Sequence, residues 1–187
     1  DTTDASPAII SHNGNLYLAF KGSGNENINI MVSTNDGASF GGKFVSNETT
    51  TDAPTVASCS GQLYLGWKGS GNENFNVAIV NTGPNAASPQ ILGTLNKAIF
   101  SDTTDLRIAL VAQGGLLFVG WKGSGNDNFN LLFPADVNSC TSKFITSESS
   151  SHAPSYAAND SRIWVAWKGS GNDQLNVARV DFGSQTA

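Results

Sequence analysis

The chain has little of what marks a metal cluster, a nucleic-acid surface or a membrane span. Only two cysteines and two histidines occur in 187 residues. Cys59 and Cys140 lack metal-ligand spacing, and His12 and His152 hold unrelated places, so no metal or other cofactor is expected. One disulfide between Cys59 and Cys140, or two separate thiols, fits equally well. Ten Lys and Arg stand against 15 Asp and Glu, a net charge of −5. That balance argues against an electrostatic grip on phosphate backbones, and no nucleic-acid partner is expected. No run approaches the ~18 apolar residues of a membrane helix, and Asp1-Thr2-Thr3-Asp4 is not a charged-then-apolar leader. The expectation is a soluble chain without membrane insertion, already processed if it is secreted. Charged residues make up only 13%, which with abundant Gly, Asn, Ser and Thr disfavours a helical bundle.

What is present is a repeat. Phe20-Lys21-Gly22-Ser23-Gly24-Asn25-Glu26-Asn27-Ile28-Asn29 recurs from Trp67 to Asn76, from Trp121 to Asn130 and from Trp167 to Asn176, at spacings of 47, 54 and 46 residues. Each copy reads aromatic, Lys, Gly, Ser, Gly, Asn, acid, amide, apolar, Asn. A lead precedes each: Thr2-Thr3-Asp4, Thr50-Thr51-Asp52, Thr103-Thr104-Asp105 and Ser150-Ser151-His152. Pro7, Pro54 and Pro154, with Ile108 in the third copy, stand thirteen residues before the aromatic. The period matches the ~40–45 residues or slightly more of a four-stranded propeller blade.

The fold class expected is therefore all-β: one domain, a small propeller of four blades over about 1–48, 49–101, 102–148 and 149–187. Each blade has about four antiparallel strands. In the second, strand A is read over Thr55–Ser58, B over Leu63–Lys68, C over Asn76–Val80 and D around Gln90–Leu95. Alternation puts Leu63, Leu65 and Trp67 on one face of strand B and Tyr64, Gly66 and Lys68 on the other, both partly apolar as a sheet packed on two sides requires. The last blade lacks room for its outer strand, and an open edge there predicts a homodimer or a covered edge.

Between strands C and D of the first unit, Ser33-Thr34-Asn35-Asp36-Gly37-Ala38-Ser39-Phe40 resembles the Asp-box hairpin of sialidase-type propellers, with Asn35 where Asp is usual and Phe40 where Trp is usual. The Thr-rich lead, Ala-Pro, Leu-Tyr-Leu and Trp-Lys-Gly elements resemble secreted propeller lectins, fucose-binding ones among them, and related repeat modules of microbial extracellular proteins. Those lectins usually carry five to seven blades. The resemblance implies an extracellular protein with glycans or glycoproteins as partners.

Up-and-down strands bring the Gly-Ser-Gly-Asn turn and the lead to one face. The candidate sugar contacts are Asp4, Phe20, Lys21, Asn25, Glu26 and Asn29 in the first unit, and Asp52, Trp67, Lys68, Asn72, Glu73 and Asn76 in the second. The third supplies Asp105, Trp121, Lys122, Asn126, Asp127 and Asn130; the fourth supplies His152, Trp167, Lys168, Asn172, Asp173 and Asn176. Carboxylates and amides match sugar hydroxyls, and an aromatic offers a flat face to a pyranose. The bland alternative stands beside each: glycines for positive φ, tryptophans as inter-blade core, leads as Ser/Thr turns, and Lys–acid pairs as braces. Calcium is disfavoured because the turn lacks alternating oxygen ligands.

A lectin with several equivalent sites is the leading reading, since repetition raises avidity. A protein-interaction scaffold is the alternative. A sialidase-like glycosidase ranks below both, because Arg107, Arg162 and Arg179 do not look set to converge and one catalytic centre would break the symmetry; the chain is read as a non-enzyme.

Overall fold

In the computed structural model the described residues are 1–85, 90–133, 142–159 and 161–181, with the backbone alone for Ser142. Among them there is no helix and there are fifteen strands: β1 (Ala8–His12), β2 (Asn15–Lys21), β3 (Asn27–Ser33), β4 (Gly41–Thr49), β5 (Thr55–Cys59), β6 (Gln62–Lys68), β7 (Asn74–Asn81), β8 (Gly93–Thr103), β9 (Ala109–Gln113), β10 (Leu116–Lys122), β11 (Asn128–Phe133), β12 (Ser142–Ser149), β13 (Ser155–Asn159), β14 (Arg162–Lys168) and β15 (Leu175–Val180). They form four antiparallel meanders, β1-β2-β3-β4, β5-β6-β7-β8, β9-β10-β11-β12 and β13-β14-β15. These are the blades of a four-bladed propeller. Among the described residues the last has three strands, and β15 is its outer edge.

The inner hairpins follow from their turn residues. Asn13-Gly14, Ser60-Gly61 and Gly114-Gly115 all have positive φ, the two-residue mirror-image turn whose twist matches that of the strands it joins. Inner strands lie side by side, β5 against β1, β9 against β5 and β13 against β9. The core is a set of seams between blades. Tyr17, Ala19, Ile28 and Ile30 of the first blade pack on Val56, Leu63, Leu65 and Trp67 of the second. Phe75 and Val77 of the second meet Leu110, Leu117, Val119 and Trp121 of the third. Phe129 of the third meets Val165 and Trp167 of the fourth. The alternation in β6 thus serves two seams, Leu63 and Trp67 facing backward and Tyr64 forward.

Strand D of the second blade lies later than its apolar run suggests, over 93–103 rather than 90–95. Gln90 and Leu92 donate backbone hydrogen bonds to the carbonyls of Thr82 and Asn81, and Ile91 plugs the first seam. Apolar character there reflects capping, not strand formation. Cys59 is a buried free thiol; Cys140 lies outside the described residues.

On the rim of the inner hairpins, buried His12 hydrogen-bonds through Nδ1 with Ser58 Oγ of the next blade at 2.8 Å. Desolvation holds its pKa below 6.5. A histidine kept neutral in the fold but protonated when unfolded makes the unfolded state bind more protons below pH 6.5, so stability falls as pH drops through that value. Urea midpoints between pH 5 and 8 should show this slope, and His12→Gln should flatten it.

Candidate functional site

The repeated turn is built by its own residues. In each copy the second glycine has φ between +73° and +75°. The first leaves room for the Asn side chain: a Cβ at Gly22, Gly69, Gly123 or Gly169 would lie 2.4–2.6 Å from the Oδ1 of Asn25, Asn72, Asn126 or Asn172. Those oxygens accept from the backbone N–H of Asn27, Asn74, Asn128 and Gln174, closing an Asx turn. The amide that follows bridges to strand D. Asn27, Asn74 and Asn128 donate to the carbonyls of Ser46, Phe100 and Thr146, across the bulge where register shifts.

The acids brace the next blade. Ser70 Oγ donates to Glu26, Ser124 Oγ to Glu73, and Ser170 Oγ to Asp127 at 3.3 Å. The lysines turn back to the lead: Lys21 to Asp4 at 2.6 Å, Lys68 to Thr51 Oγ1 at 2.8 Å, and Lys122 to Asp105 at 3.0 Å and Asp127 at 3.3 Å. Lys168 pairs instead with Asp173 at 2.8 Å. The hydrogen bond from Lys21 holds the Asp4 carboxyl below its ordinary range, and Lys168 does the same for Asp173. Burial alone would lower the Lys122 pKa, but hydrogen bonds to Asp105 and Asp127 outweigh it and leave it raised.

Several expected sugar contacts are corrected by burial. Phe20, Trp67, Trp121 and Trp167 are 0–7% exposed: the three tryptophans fill the seams between blades, while Phe20, with the Lys43 ammonium over its ring, borders an apolar groove on the outer side of the first blade. Asn29, Asn76 and Asn130 are buried; Asn29, Asn130 and Asn176 donate to backbone carbonyls two residues earlier. Asn25, Glu26, Asn72, Glu73, Asn126, Asn172 and Asp173 remain exposed, with Asp127 half-buried.

The lead is also shifted by one place in two blades. Thr50, Thr104 and Ser150, all fully buried, occupy one position and Thr3 is their counterpart: each hydroxyl hydrogen-bonds the backbone two residues on. Asp4 and Asp105 therefore align with Thr51 and Ser151, not with Asp52 and His152. The runs Thr49-Thr50-Thr51 and Ser149-Ser150-Ser151 mask this slip when the leads are matched by residue type, although counting to the aromatic gives 16 residues from Asp4 and Asp105 and 15 from Asp52 and His152.

Asp52 and His152 go elsewhere, to the propeller axis. There they line a cavity of about 290 Å³ together with Ser6 and Arg107, so that every blade contributes a polar residue. Asp52 is fixed by accepting from the backbone N–H of Ala53 at 2.6 Å and of Arg107 at 2.7 Å. His152 Nδ1 hydrogen-bonds with Ser151 Oγ at 2.9 Å. The Arg107 side chain has no hydrogen bond or ion pair among the described residues, and it also lines the channel below, beside Tyr156. Arg162 opens β14 at the opposite rim, and Arg179 pairs with Asp181 at 2.6 Å. Asp52 and His152 are thus among the expected contacts but at the axis, while Ser6 and Arg107 were not among those contacts; the available signal was that the copies disagree just before Pro7, Pro54, Ile108 and Pro154.

Also unforeseen is a row of outer lysines. Lys43 pairs with Asp1, Lys97 with Glu48 at 2.8 Å, and Lys143 with Asp102. Each lies 5.2–5.8 Å from the ring centroid of Phe20, Trp67 or Trp121. Their distance from the aromatic varies with the C–D loop, which hides them in an ungapped reading. Among the described residues no group of three or more His, Cys, Asp or Glu is placed to hold a metal ion. Compared with known proteins, the chain matches no protein-family model and no curated protein sequence.

Proposed function

We propose that this propeller is a carbohydrate-binding protein, and that its principal sugar seat is the axial mouth rather than the repeated turns. The observation that carries this is the convergence of Asp52, Arg107, His152 and Ser6, one from each blade, on a single cavity. A fixed carboxylate accepts from sugar hydroxyls and an uncommitted guanidinium donates to them, the complementary pair that a vicinal diol needs. The volume approaches the ~300 Å³ at which small-molecule sites begin. The exposed turn residues around it then serve as a rim for longer glycans. Recognition of cell-surface glycans accords with an extracellular protein.

A glycan array on the intact chain, followed by calorimetry on the best ligand, tests this. Arg107→Met and Asp52→Asn should each weaken binding at least about tenfold, the loss for a charge-assisted hydrogen bond. No glycan bound by the intact protein sinks the sugar reading. Binding that survives both substitutions but fails with Asn72→Ala and Glu73→Ala moves the seat back to the turns.

A protein-interaction scaffold is the second reading. Val45, Ile99 and Ile145 are more than half exposed at one repeated position on the three outer strands, a spaced apolar row that a protein partner would cover.

A further inference from the structure

Among the described residues three seams are filled and a fourth is not. The face that blades one to three turn toward their successor carries Ile28, Phe75 and Phe129 at one position, and Ile30, Val77 and Leu131 at another, all at most 1% exposed. The fourth blade carries Leu175 and Val177 there, 79% and 62% exposed, beside Trp164 at the place of Tyr17 and Phe118. At the other end, Val56 and Leu110 are 8% exposed on the faces they turn backward, whereas Ile9, their counterpart in the first blade, is 57% exposed. Next to it an apolar groove lies among Pro7, Leu18, Phe20 and Met31. No contact comparable to those between the other inner strands joins β13 to β1.

The polar half of the seam is open at the same two places. Ser70, Ser124 and Ser170 reach the acid of the preceding blade, but among the described residues Ser23 reaches no acid, and Asp173 is 92% exposed on its side chain. The backbone N–H groups of Thr50, Thr104 and Ser150 donate to the carbonyls of Glu26, Glu73 and Asp127. Thr49, Thr103 and Ser149 pair with the strand-C residues Asn27, Asn74 and Asn128. Thr2 already holds the equivalent place against the first blade, accepting from Ser23 N–H as Thr49 accepts from Ser70 N–H. It thus presents the end of an outer strand for a strand C that no described residue of its own chain brings to it. β15 is such a strand, without an outer neighbour among the described residues.

We infer that the fourth blade of one copy docks on the first blade of a second copy, rebuilding the internal seam between chains. Leu175 takes the place of Phe75 and Phe129, which pack on Trp121 and Trp167 with ring centroids 4.7 and 5.4 Å apart, and so meets Phe20. Ser23 of the second copy reaches Asp173, and its Thr2 pairs with Gln174. The occupant is a copy of this chain because the two open faces are the two halves of a seam that the chain makes three times internally. Each half complements the other and not itself, so the contact is head-to-tail. This does not depend on the sugar reading.

Light scattering on the eluted chain from micromolar to millimolar concentration should give a mass that is a multiple of 19.5 kDa. Leu175→Asp and Ile9→Asp, both at exposed positions and checked for folding by circular dichroism, should each elute as a single copy. Mixed one to one they should form a two-copy species, since one retains a sound tail and the other a sound head. A single-copy mass for the unmodified chain throughout that range overturns the inference. So does a mixture that stays single-copy, and so does an Ile9→Asp variant that by itself still elutes as two copies, the result expected if β15 pairs with β15 of another copy.

Discussion

Trp121→Ala should destabilise the fold by about 3–5 kcal/mol, the range for emptying a buried aromatic site. Trp121 is fully buried at the centre of the middle seam, with the Phe75 ring 4.7 Å away and the Lys143 ammonium 5.2 Å over its own ring. Removing it opens a cavity between two rigid sheets that cannot close without moving a blade, and it strands the lysine that covers it. For a domain of this size that corresponds to a melting temperature lower by roughly 10 °C or more. Trp121→Phe is the informative companion. The indole N–H is buried without an acceptor among the described residues, an arrangement that itself costs stability, and Phe20 holds the same position in the first blade. The phenylalanine variant should therefore recover most of the loss. Thermal melts of the two variants decide it; a drop below about 1 kcal/mol for alanine would mean that the seams do not unfold together.

Gly120→Ala should cost about 1–3 kcal/mol by overpacking. A Cβ on Gly120 would stand 2.2 Å from the Tyr156 ring of the following blade and 2.6 Å from its Cζ, closer than any relaxed contact. The ring seats against the third blade because this position has no side chain. Gly66 plays the same part against Ile108, with a Cβ distance of 2.9 Å. The clash is specific to the partner, so in a Tyr156→Leu background the alanine should cost little beyond the leucine change, with a coupling of 1 kcal/mol or more between the two sites. Hydrogen exchange should report where the strain goes: amides of β14 and β15 should lose protection before those of β2 and β6. Equal loss in every blade would contradict the seam as the point of failure.

Much of this architecture was readable residue by residue. The repeat from Phe20 to Asn29 located each B–C turn because a turn needing one crowded glycine, one positive φ and one Asx oxygen tolerates few other residues. Alternation in Leu63–Lys68 told which side chains face which neighbour, since successive strand residues point to opposite faces. The roles of the polar residues were less legible. Lys and acid in one motif suggest a ligand site and a brace equally well, and only geometry shows Glu26, Glu73 and Asp127 reaching the serine of the next blade. The lead misaligned by one residue in two blades because it was matched by residue type within runs of Thr and Ser, whereas Thr3, Thr50, Thr104 and Ser150 all stand 17 residues before the aromatic.

Local chemistry along the chain determined the strands, the turns and their number, because these depend on residues within a few places of one another. The tertiary structure decided which polar groups remain available, because that depends on what the neighbouring blade brings within 3 Å. It gathered Ser6, Asp52, Arg107 and His152 at the axis, residues from two adjacent repeat positions whose side chains differ from blade to blade. It also left Ile9 and Leu175 uncovered, although their own strands are patterned like those whose counterparts are buried. A seam needs two faces, and each strand's sequence specifies only one of them.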